Sequence, residues 1–515
     1  MIRTVPWLRM SLTPGAALLA LLICGGGVQA QPANSAKRAL TLDDCIQMAL
    51  THNLDLQIER HNPAIARYAL RGAYGAYDPV FRFNASETFV SSPEQMDPKK
   101  TAGDRANETI TDAYRTGIGG MEPTGLRYGL NAGLAWREAK TFFPPPPPDL
   151  VRLTNEWSAV SELTLRQPLL RNLWIDLPRQ VIRVNEKNLK MAELALRQLI
   201  LNTVTQVQIA YYELIYAREQ IQVMAKALEL AKELLAENAK RVQAGLLPPL
   251  DEKQAEAQVA AGEAALVAAQ QVFAEQQTAL KRLIHDDLKG WAEVELEPVD
   301  QLSAMPTLYD REESWDRALA SRPDLQQFRL EVEKRDVLVR YQLNQVFPSV
   351  DLVGSYGARA ARNSLGDAVN ELTDATRPSY SYGVVLSVPI RNLAARNDYQ
   401  LAKALKEQGW LQLRKLEQTI LAQVDVAGRL TQSTFRQVAA TRQARQSAEL
   451  ALAMEQRKLA AGATTFFVVL QLQRDLTEAR SAELRALVDY HKAVVQLAFA
   501  EGSTLERNRL AIERQ

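Results

Sequence analysis

The chain has 515 residues, of which 61 are basic and 60 are acidic, so its formal net charge is +1. This balance gives no strong electrostatic field that would favour nucleic acid or an anionic surface as a partner. The two cysteines, Cys24 and Cys45, exclude a disulfide framework, because the first lies in a segment that export would remove.

Residues 1–30 have the pattern of an export signal peptide. Two arginines supply the positive end, residues 16–23 form the short apolar run, and residues 28–30 match a small-residue cleavage site. We favour cleavage over lipidation of Cys24, because Ile23 stands where a lipoprotein signal has a small residue. No other apolar run approaches the ~20 residues of a membrane-spanning helix, so the mature chain would have to cross a membrane with β-strands.

The mature chain begins with a pattern that predicts one helix from Leu40 to about Ala76, followed by strands. Apolar and polar residues alternate in four segments between about residues 80 and 168, which is typical of transmembrane β-strands. The turn at 122–125 joins the second and third of these strands. A solvent loop is predicted over 91–107, and a stiff polyproline loop over 144–148.

A very long helical hairpin is predicted over 179–284, with a break at 245–251. At ~1.5 Å per residue, its outgoing arm would reach on the order of 100 Å. Apolar residues fall seven apart on both arms, which indicates a coiled-coil seam. The seam residues are Ile200, Val207, Leu214, Ile221, Leu228, Leu235 and Val242 on the outgoing arm, and Val259, Leu266, Phe273 and Leu280 on the return.

The chain then repeats itself. Residues 318–325 match 49–56 at an offset that also carries Pro79 onto Pro348, which indicates an internal duplication. We therefore predict a first repeat over 31–300 and a second over 301–515. The second repeat is predicted to contain a helix at 310–345, strands at about 348–389, a helical hairpin at 396–499 and a C-terminal tail.

Catalytic and ligand-binding motifs are missing from the sequence. It has no HExxH, GxSxG, P-loop or dinucleotide glycine pattern. Its four histidines are not spaced as metal ligands. We expect no enzyme activity, no cofactor and no metal. A stand-alone porin, a periplasmic coiled-coil scaffold and, least favoured, a periplasmic enzyme are alternative functions that these observations leave open.

The order of these features resembles the TolC-like outer-membrane efflux family over nearly the whole mature chain. The resemblance rests on the paired openings at 42–50 and 53–56, the junctions between strands and prolines, and the two glycine-containing hairpin turns followed by 251–255 and 468–472. It implies an α+β membrane protein built from two repeats. A homotrimer would form one β-barrel in outer-membrane lipid, continued by a periplasmic α-helical barrel. It would be the passive outer-membrane conduit of a tripartite efflux or type I secretion system, in which a periplasmic adaptor and an inner-membrane pump are its partners and nucleic acid is not.

The first repeat departs from the family pattern of two strands per half, because it contains four. Two interpretations stay open at this point. Either the barrel is wider than usual, or the hairpin at 112–137 lies outside the barrel wall.

The resemblance also implies a periplasmic gate near the tip of the second hairpin. Acidic residues ring this aperture in the family, whereas Val468 and Gln471 stand at the aligned positions here. Asp251 matches a position that ties neighbouring helices together, but Thr464 replaces its basic partner. We therefore expect closure by apolar packing that involves Phe466, as in dewetting constrictions. The predicted gate residues are Asp251, Phe467, Val468 and Gln471.

The two hairpin turns are predicted to dock the adaptor. Gly245 and Gly462 each follow a basic residue by four positions, as expected of a C-cap glycine behind a last-turn cation. Apolar residues near these turns would need a partner. The predicted docking residues are Gly245, Leu246, Leu247, Leu250, Gly462 and Phe466.

Overall fold

The computed structural model describes residues 37–93, 106–143, 150–245, 248–307, 309–461 and 463–510. The predicted signal peptide, the polyproline run, most of the predicted 91–107 loop and the tip residues Leu246, Leu247 and Gly462 lie outside these ranges. Within them, no helix combines the length and the hydropathy that a membrane span requires. The fold consists of one six-stranded sheet, a two-stranded sheet and a layer of long helices.

Four long helices form two hairpins. The first hairpin comprises α3 (Leu177–Gln243) and α4 (Pro249–Ile284), and the second comprises α8 (Leu393–Ala460) and α9 (Phe466–Glu501). Every residue of the predicted heptad stripe is buried or half-buried. The coiled-coil seam is therefore confirmed, and the stripe holds the helices against one another rather than facing solvent.

The single helix predicted from Leu40 to Ala76 is wrong. The chain forms α1 (Leu42–His52) and α2 (Leu54–Tyr74), which meet at Asn53. The backbone of Asn53 is extended, and its side-chain oxygen accepts a hydrogen bond from the Leu56 amide at 3.1 Å. Such an N-cap starts a new helix, and the continuous apolar pattern concealed it.

The second repeat has the same break. Helices α5 (Arg311–Ser321) and α6 (Pro323–Val346) meet at Arg322, whose backbone is also extended. Proline restricts the residue before it to extended conformations and fits the first turn of a helix. The predicted helix at 310–345 is therefore two helices, and a proline sets their junction where Asn53 sets it in the first repeat.

The six-stranded sheet is antiparallel throughout, with strand order β2-β3-β4-β5-β7-β8. Strands β3 and β4 contain the predicted 112–137 hairpin and are hydrogen-bonded on their outer sides to β2 and β5. The hairpin is thus an integral part of the sheet, which decides between the two interpretations. The six strands of the sheet are β2 (Val80–Pro93), β3 (Ala106–Met121), β4 (Arg127–Phe143), β5 (Leu150–Pro168), β7 (Ser349–Arg362) and β8 (Pro378–Ser387).

The turn of the β3–β4 hairpin is held by its neighbours. Gly125 has φ +88°, and a Cβ there would lie 3.0 Å from both the Asn172 carbonyl oxygen and the Pro168 ring. The Gln167 amide also donates to the Thr124 carbonyl at 3.2 Å. Only glycine fits this close approach, so the hairpin is locked to the segment that leads into α3.

Three elements were missed from the sequence. The segment 285–307 contains β6 (Glu295–Pro298), which pairs in parallel with β1 (Lys37–Leu40). Both strands are short and lie far apart in sequence, so local alternation could not reveal them. The third missed element is α7 (Leu365–Thr373), which packs Ala368 on the apolar face of β5 and β7.

The main core lies where α1, α3 and α4 meet the two-stranded sheet of β1 and β6. Tyr211 is fully buried, and its hydroxyl donates to the Asp300 carboxylate at 2.7 Å. The Asp300 carboxylate also accepts from the Leu42 amide at 2.9 Å. The C-terminal tail joins the core through α10 (Thr504–Arg507) and Leu505.

Candidate functional site

The tip of the first hairpin ends α3 with a glycine cap. Gly245 has φ +71°, and its amide donates to the Val242 carbonyl at 2.9 Å. This is the bond of a Schellman-type helix end, in which glycine takes the left-handed conformation without steric cost. A Cβ at Gly245 would meet no heavy atom within 4 Å, so the position is open to solvent.

The tip of the second hairpin closes in a related way. The Ala463 amide donates to the Lys458 carbonyl at 2.9 Å, which is the longer bond of the same motif. Thr464, at the position of the missing basic residue, is engaged within its own hairpin by Glu455. Hydrogen bonds from Thr464 and Lys458 hold the pKa of Glu455 below its usual value.

The predicted docking residues divide into exposed and buried ones. Leu250 is 65% exposed, whereas Phe466 is only 4% exposed and packs against Ala255 and Leu470. The expectation that Phe466 is an exposed tip residue is therefore wrong. Its side chain stabilises the contact between the two hairpins, so it is available neither for docking nor for closing an aperture in this conformation.

The four predicted gate residues lie at the same end of the molecule. Phe467 is 64% exposed, and Val468 and Gln471 are also exposed. Asp251 is half-buried, and its backbone carbonyl accepts from the buried Asn238 amide at 3.5 Å. Three of the four side chains that the sequence assigned to a gate are thus exposed on the protomer surface.

The six-stranded sheet has one apolar and one polar face, as its alternation predicts. The apolar face includes a row of exposed side chains that crosses all six strands in register. The neighbouring row on the polar face contains no large apolar residue. These rows are Phe81, Ile118, Leu130, Leu163, Tyr356 and Tyr380, and Arg82, Gly117, Asn131, Glu162, Gly357 and Ser379, respectively.

Two open edges run along the molecule. In the helical layer, α2 and α4 lie on one side of α3, whereas α8 lies on the far side of α6 and α9. The sheet has β2 and β8 at its edges. Because α2 leads into β2 and β8 leads into α8, each helical edge continues into a strand edge.

Both helical edges expose apolar side chains, a feature that the sequence analysis did not use. Ile58 and Ile65 lie seven residues apart on α2, and this heptad spacing was a signal available in the sequence. The exposed apolar residues include Leu54, Ile58, Ile65 and Tyr68 on α2, Val267 on α4, and Leu401, Trp410, Leu411, Val426, Leu450 and Met454 on α8.

The fold brings together His52, His285 and Asp286, which the sequence did not predict. Their ligand atoms lie within 4.8 Å of one another. The two imidazole rings are stacked, with centroids 4.9 Å apart and an interplanar angle of 8°, so their lone pairs lie in separate planes. Trp291 extends the stack at 4.7 Å from His285, and the Asp287 amide donates to His285 Nδ1. We interpret this group as an aromatic stack that packs α1 against the end of α4.

Comparisons with known proteins agree with this architecture. The sequence profile of a family described as outer membrane efflux protein matches residues 159–284 and 315–503, which is more than half of the chain. A comparison with curated protein sequences finds no match.

Several solved outer-membrane channels share the fold. The CmeC channel of Campylobacter jejuni is 18% identical, with a TM-score of 0.65 over 90% of this chain and 86% of that chain. VceC of Vibrio cholerae is 19% identical, with a TM-score of 0.62 over 90% of this chain and 96% of that chain. The open state of MtrE of Neisseria gonorrhoeae is 16% identical, with a TM-score of 0.61 over 90% of this chain and 89% of that chain. These matches confirm the predicted TolC-like fold.

Proposed function

The chain belongs to the outer membrane efflux protein family, and on this basis we propose that it is the outer-membrane conduit of a tripartite export system. Membership in this family agrees with the predicted location in the outer membrane and with a role that is not enzymatic. The proposal goes further in three respects: the number of copies, the partners and the gate.

We propose a homotrimer closed through the two open edges. The observation that supports a closed ring is that, on both sides of the protomer, an open helical edge continues into an open strand edge. An open strand edge cannot lie in lipid, because its amide and carbonyl groups would have no partners there. Edge β8 of one copy would pair with β2 of the next. The apolar residues of α2 and α8 would be buried at the same contacts.

Three copies of this sheet would form a barrel of eighteen strands, since each contributes six. This number lies within the range of outer-membrane barrels, and barrels of sixteen to eighteen strands leave an aqueous channel. The apolar face would contact lipid, and the polar face would line the channel.

A periplasmic adaptor and an inner-membrane pump would complete the conduit. Their contacts would lie at the hairpin tips, where Leu250 is exposed and Gly245 is open to solvent. Such an exposed apolar side chain at the end of a long hairpin suits a docking surface. The adaptor-docking assignment therefore keeps Gly245, Leu246, Leu247, Leu250 and Gly462, and it drops Phe466.

We assign the gate to Asp251, Phe467, Val468 and Gln471. The exposed Phe467 and Val468 side chains of three copies would meet on the axis and exclude water, as hydrophobic constrictions do. Phe467→Ala combined with Val468→Ala should raise single-channel conductance. Unchanged conductance in this double variant, together with higher conductance of Asp251→Ala, would contradict apolar closure.

Cysteine crosslinking tests the trimer. Ile65 on α2 precedes the start of β2 by nearly the same number of residues as Leu401 on α8 follows the end of β8. The double variant Ile65→Cys, Leu401→Cys should therefore crosslink between copies in membranes. Gel electrophoresis should show bands up to three chains and none larger. Ile65→Cys paired with the buried Ile420→Cys is the matched control and should not crosslink. A ladder that ends at two chains, or extends beyond three, would contradict the trimer.

A further inference from the structure

The polar face of the six-stranded sheet carries mainly one sign of charge. Among the described strand residues, this face has seven arginines and three carboxylates. All seven arginine side chains are exposed. The arginines are Arg82, Arg115, Arg127, Arg137, Arg152, Arg166 and Arg359, and the carboxylates are Glu156, Glu162 and Asp351.

The carboxylates neutralise only part of this charge. Asp351 pairs with Arg166 at 2.6 Å, and Glu156 lies opposite Arg137 in the strand register. Arg166 also lies opposite Arg127, so this pair of strands brings two like charges together. For the other polar-face arginines, we find no ion pair among the described residues. Since guanidinium groups stay protonated at all physiological pH values, the excess charge is permanent.

The β3–β4 hairpin contributes strongly to this excess. Arg115, Arg127 and Arg137 are on its polar face, and no described carboxylate of the hairpin shares that face. The acidic residues Asp112 and Glu138 of the hairpin lie on the opposite, apolar face. Strands β3 and β4 therefore add positive charge to the polar face of the sheet.

We propose that the outer-membrane section of the channel is an anion-favouring pore that takes anionic cargo, such as solutes with carboxylate or phosphate groups. This inference rests on the proposed trimer, in which the polar face lines the lumen. Rings of arginine in an aqueous pore attract anions and repel cations, because low-dielectric walls focus their field. Of the assigned gate residues, only Asp251 is acidic, whereas Val468 and Gln471 carry no charge.

Reversal potentials in planar bilayers test the proposal on the purified full-length protein, with a potassium chloride gradient as the probe. The wild-type channel should be more permeable to chloride than to potassium. The triple variant Arg115→Gln, Arg127→Gln, Arg137→Gln should lower the chloride-to-potassium permeability ratio by about twofold or more. The corresponding triple lysine variant should keep the wild-type ratio, because it preserves the charge.

Two carboxylate variants provide matched controls. Glu162→Gln on the polar face should raise the chloride preference, whereas Glu138→Gln on the apolar face should leave it unchanged. Gate and helical tunnel are the same in all variants, so differences among them report on the strands.

The outcomes separate this inference from the proposed function. A triple glutamine variant with the wild-type permeability ratio and normal trimers would overturn the anion-favouring pore and leave the conduit intact. A wild-type protein that forms no trimer and conducts no current would instead contradict the conduit.

Discussion

The two helical hairpins have the same dimensions but different chemistry. Each return helix, α4 and α9, has 36 residues, and one constant offset aligns both arms of the first hairpin with the second. The strands of the six-stranded sheet do not match in this way, since four of them precede the first hairpin and two precede the second. Helix length is thus constrained more tightly than strand number. In a closed helical wall all arms must reach the same levels, whereas a strand hairpin can be added without moving either chain end.

Equivalent positions in the two hairpins exchange apolar for ionic groups. Leu228 and Leu266 in the first correspond to Arg445 and Glu483 in the second, which form an ion pair. An exposed pair has its charges reversed. Lys232 bonds to Glu263 at 2.8 Å in the first hairpin, and the corresponding Glu449 accepts from Arg480 at 3.0 Å in the second.

The most buried exchange lies at the ends of the return helices. Ile284 and Glu501 occupy equivalent positions, and both are almost completely buried. The Glu501 carboxylate accepts hydrogen bonds from Arg507 at 2.8 Å and from Ser314 at 2.8 Å, and it pairs with Arg317 at 3.2 Å. The geometry of the hairpin therefore tolerates either an apolar core or a fully bonded charge at one position, although the two respond differently to truncation.

Deletion of the β3–β4 hairpin gives the largest expected change. Removal of residues 106–143 takes away two antiparallel strands, so β2 and β5 keep opposite directions and can pair. The barrel should then have twelve strands, and its diameter should shrink by about a third, because diameter grows with strand number. Cryo-electron microscopy of the purified trimer would measure this diameter. A trimer of unchanged barrel diameter would show that the hairpin does not contribute to the wall.

Truncation of Glu501 should destabilise the protein more than truncation of Ile284. Glu501→Ala leaves the buried Ser314 hydroxyl without its acceptor and Arg317 and Arg507 without their ion-pair partner, which costs about 2–3 kcal/mol. Ile284→Val removes one methyl group and costs about 1 kcal/mol. Chemical unfolding of the detergent-solubilised trimer would compare them. Equal losses would mean that the ionic cluster is no more sensitive than the apolar core.

The junctions between the short helices offer a smaller contrast. Asn53→Ala removes the cap of α2 and the bond from the Asn53 amide to the Leu283 carbonyl, and should cost about 1–2 kcal/mol. Asn53→Ser keeps a capping oxygen but not that bond, and it adds no charge, so it should cost less. In the second repeat, Pro323→Ala should be milder, because a helix can begin at alanine as well. Thermal unfolding would rank the three variants, and a costlier Pro323→Ala would contradict this order.

Acid should loosen the second hairpin slightly more than the first. Hydrogen bonds from Arg480 and Arg445 hold the pKa of Glu449 below its ordinary value of 4.5. The stabilisation is therefore present above the unfolded pKa and is lost as pH falls through the lower, folded pKa. Because Glu449 is partly exposed, the effect should be small. Hydrogen exchange near pH 7 and pH 4, corrected for intrinsic rates, should show extra opening around Glu449, and Glu449→Gln should abolish the pH difference.

The sequence by itself determined the elements with strong periodicity. The heptad seam, the alternating strands, the glycine ending α3 and the duplication were readable because each depends on residues close together in the chain or on a constant offset. The same local signals misled where a break was hidden, as at Asn53, whose cap interrupts a helix without interrupting its apolar pattern.

Only the tertiary structure decided which residues meet. It placed the β3–β4 hairpin within the sheet, buried Phe466 between the hairpins and paired β1 with β6. It also sorted seven of the eight arginines in the described strands of this sheet onto one face. Strand alternation assigns residues within a single strand to alternate faces, but the register between strands from two distant repeats is fixed by long-range hydrogen bonding, which leaves no local trace in the sequence.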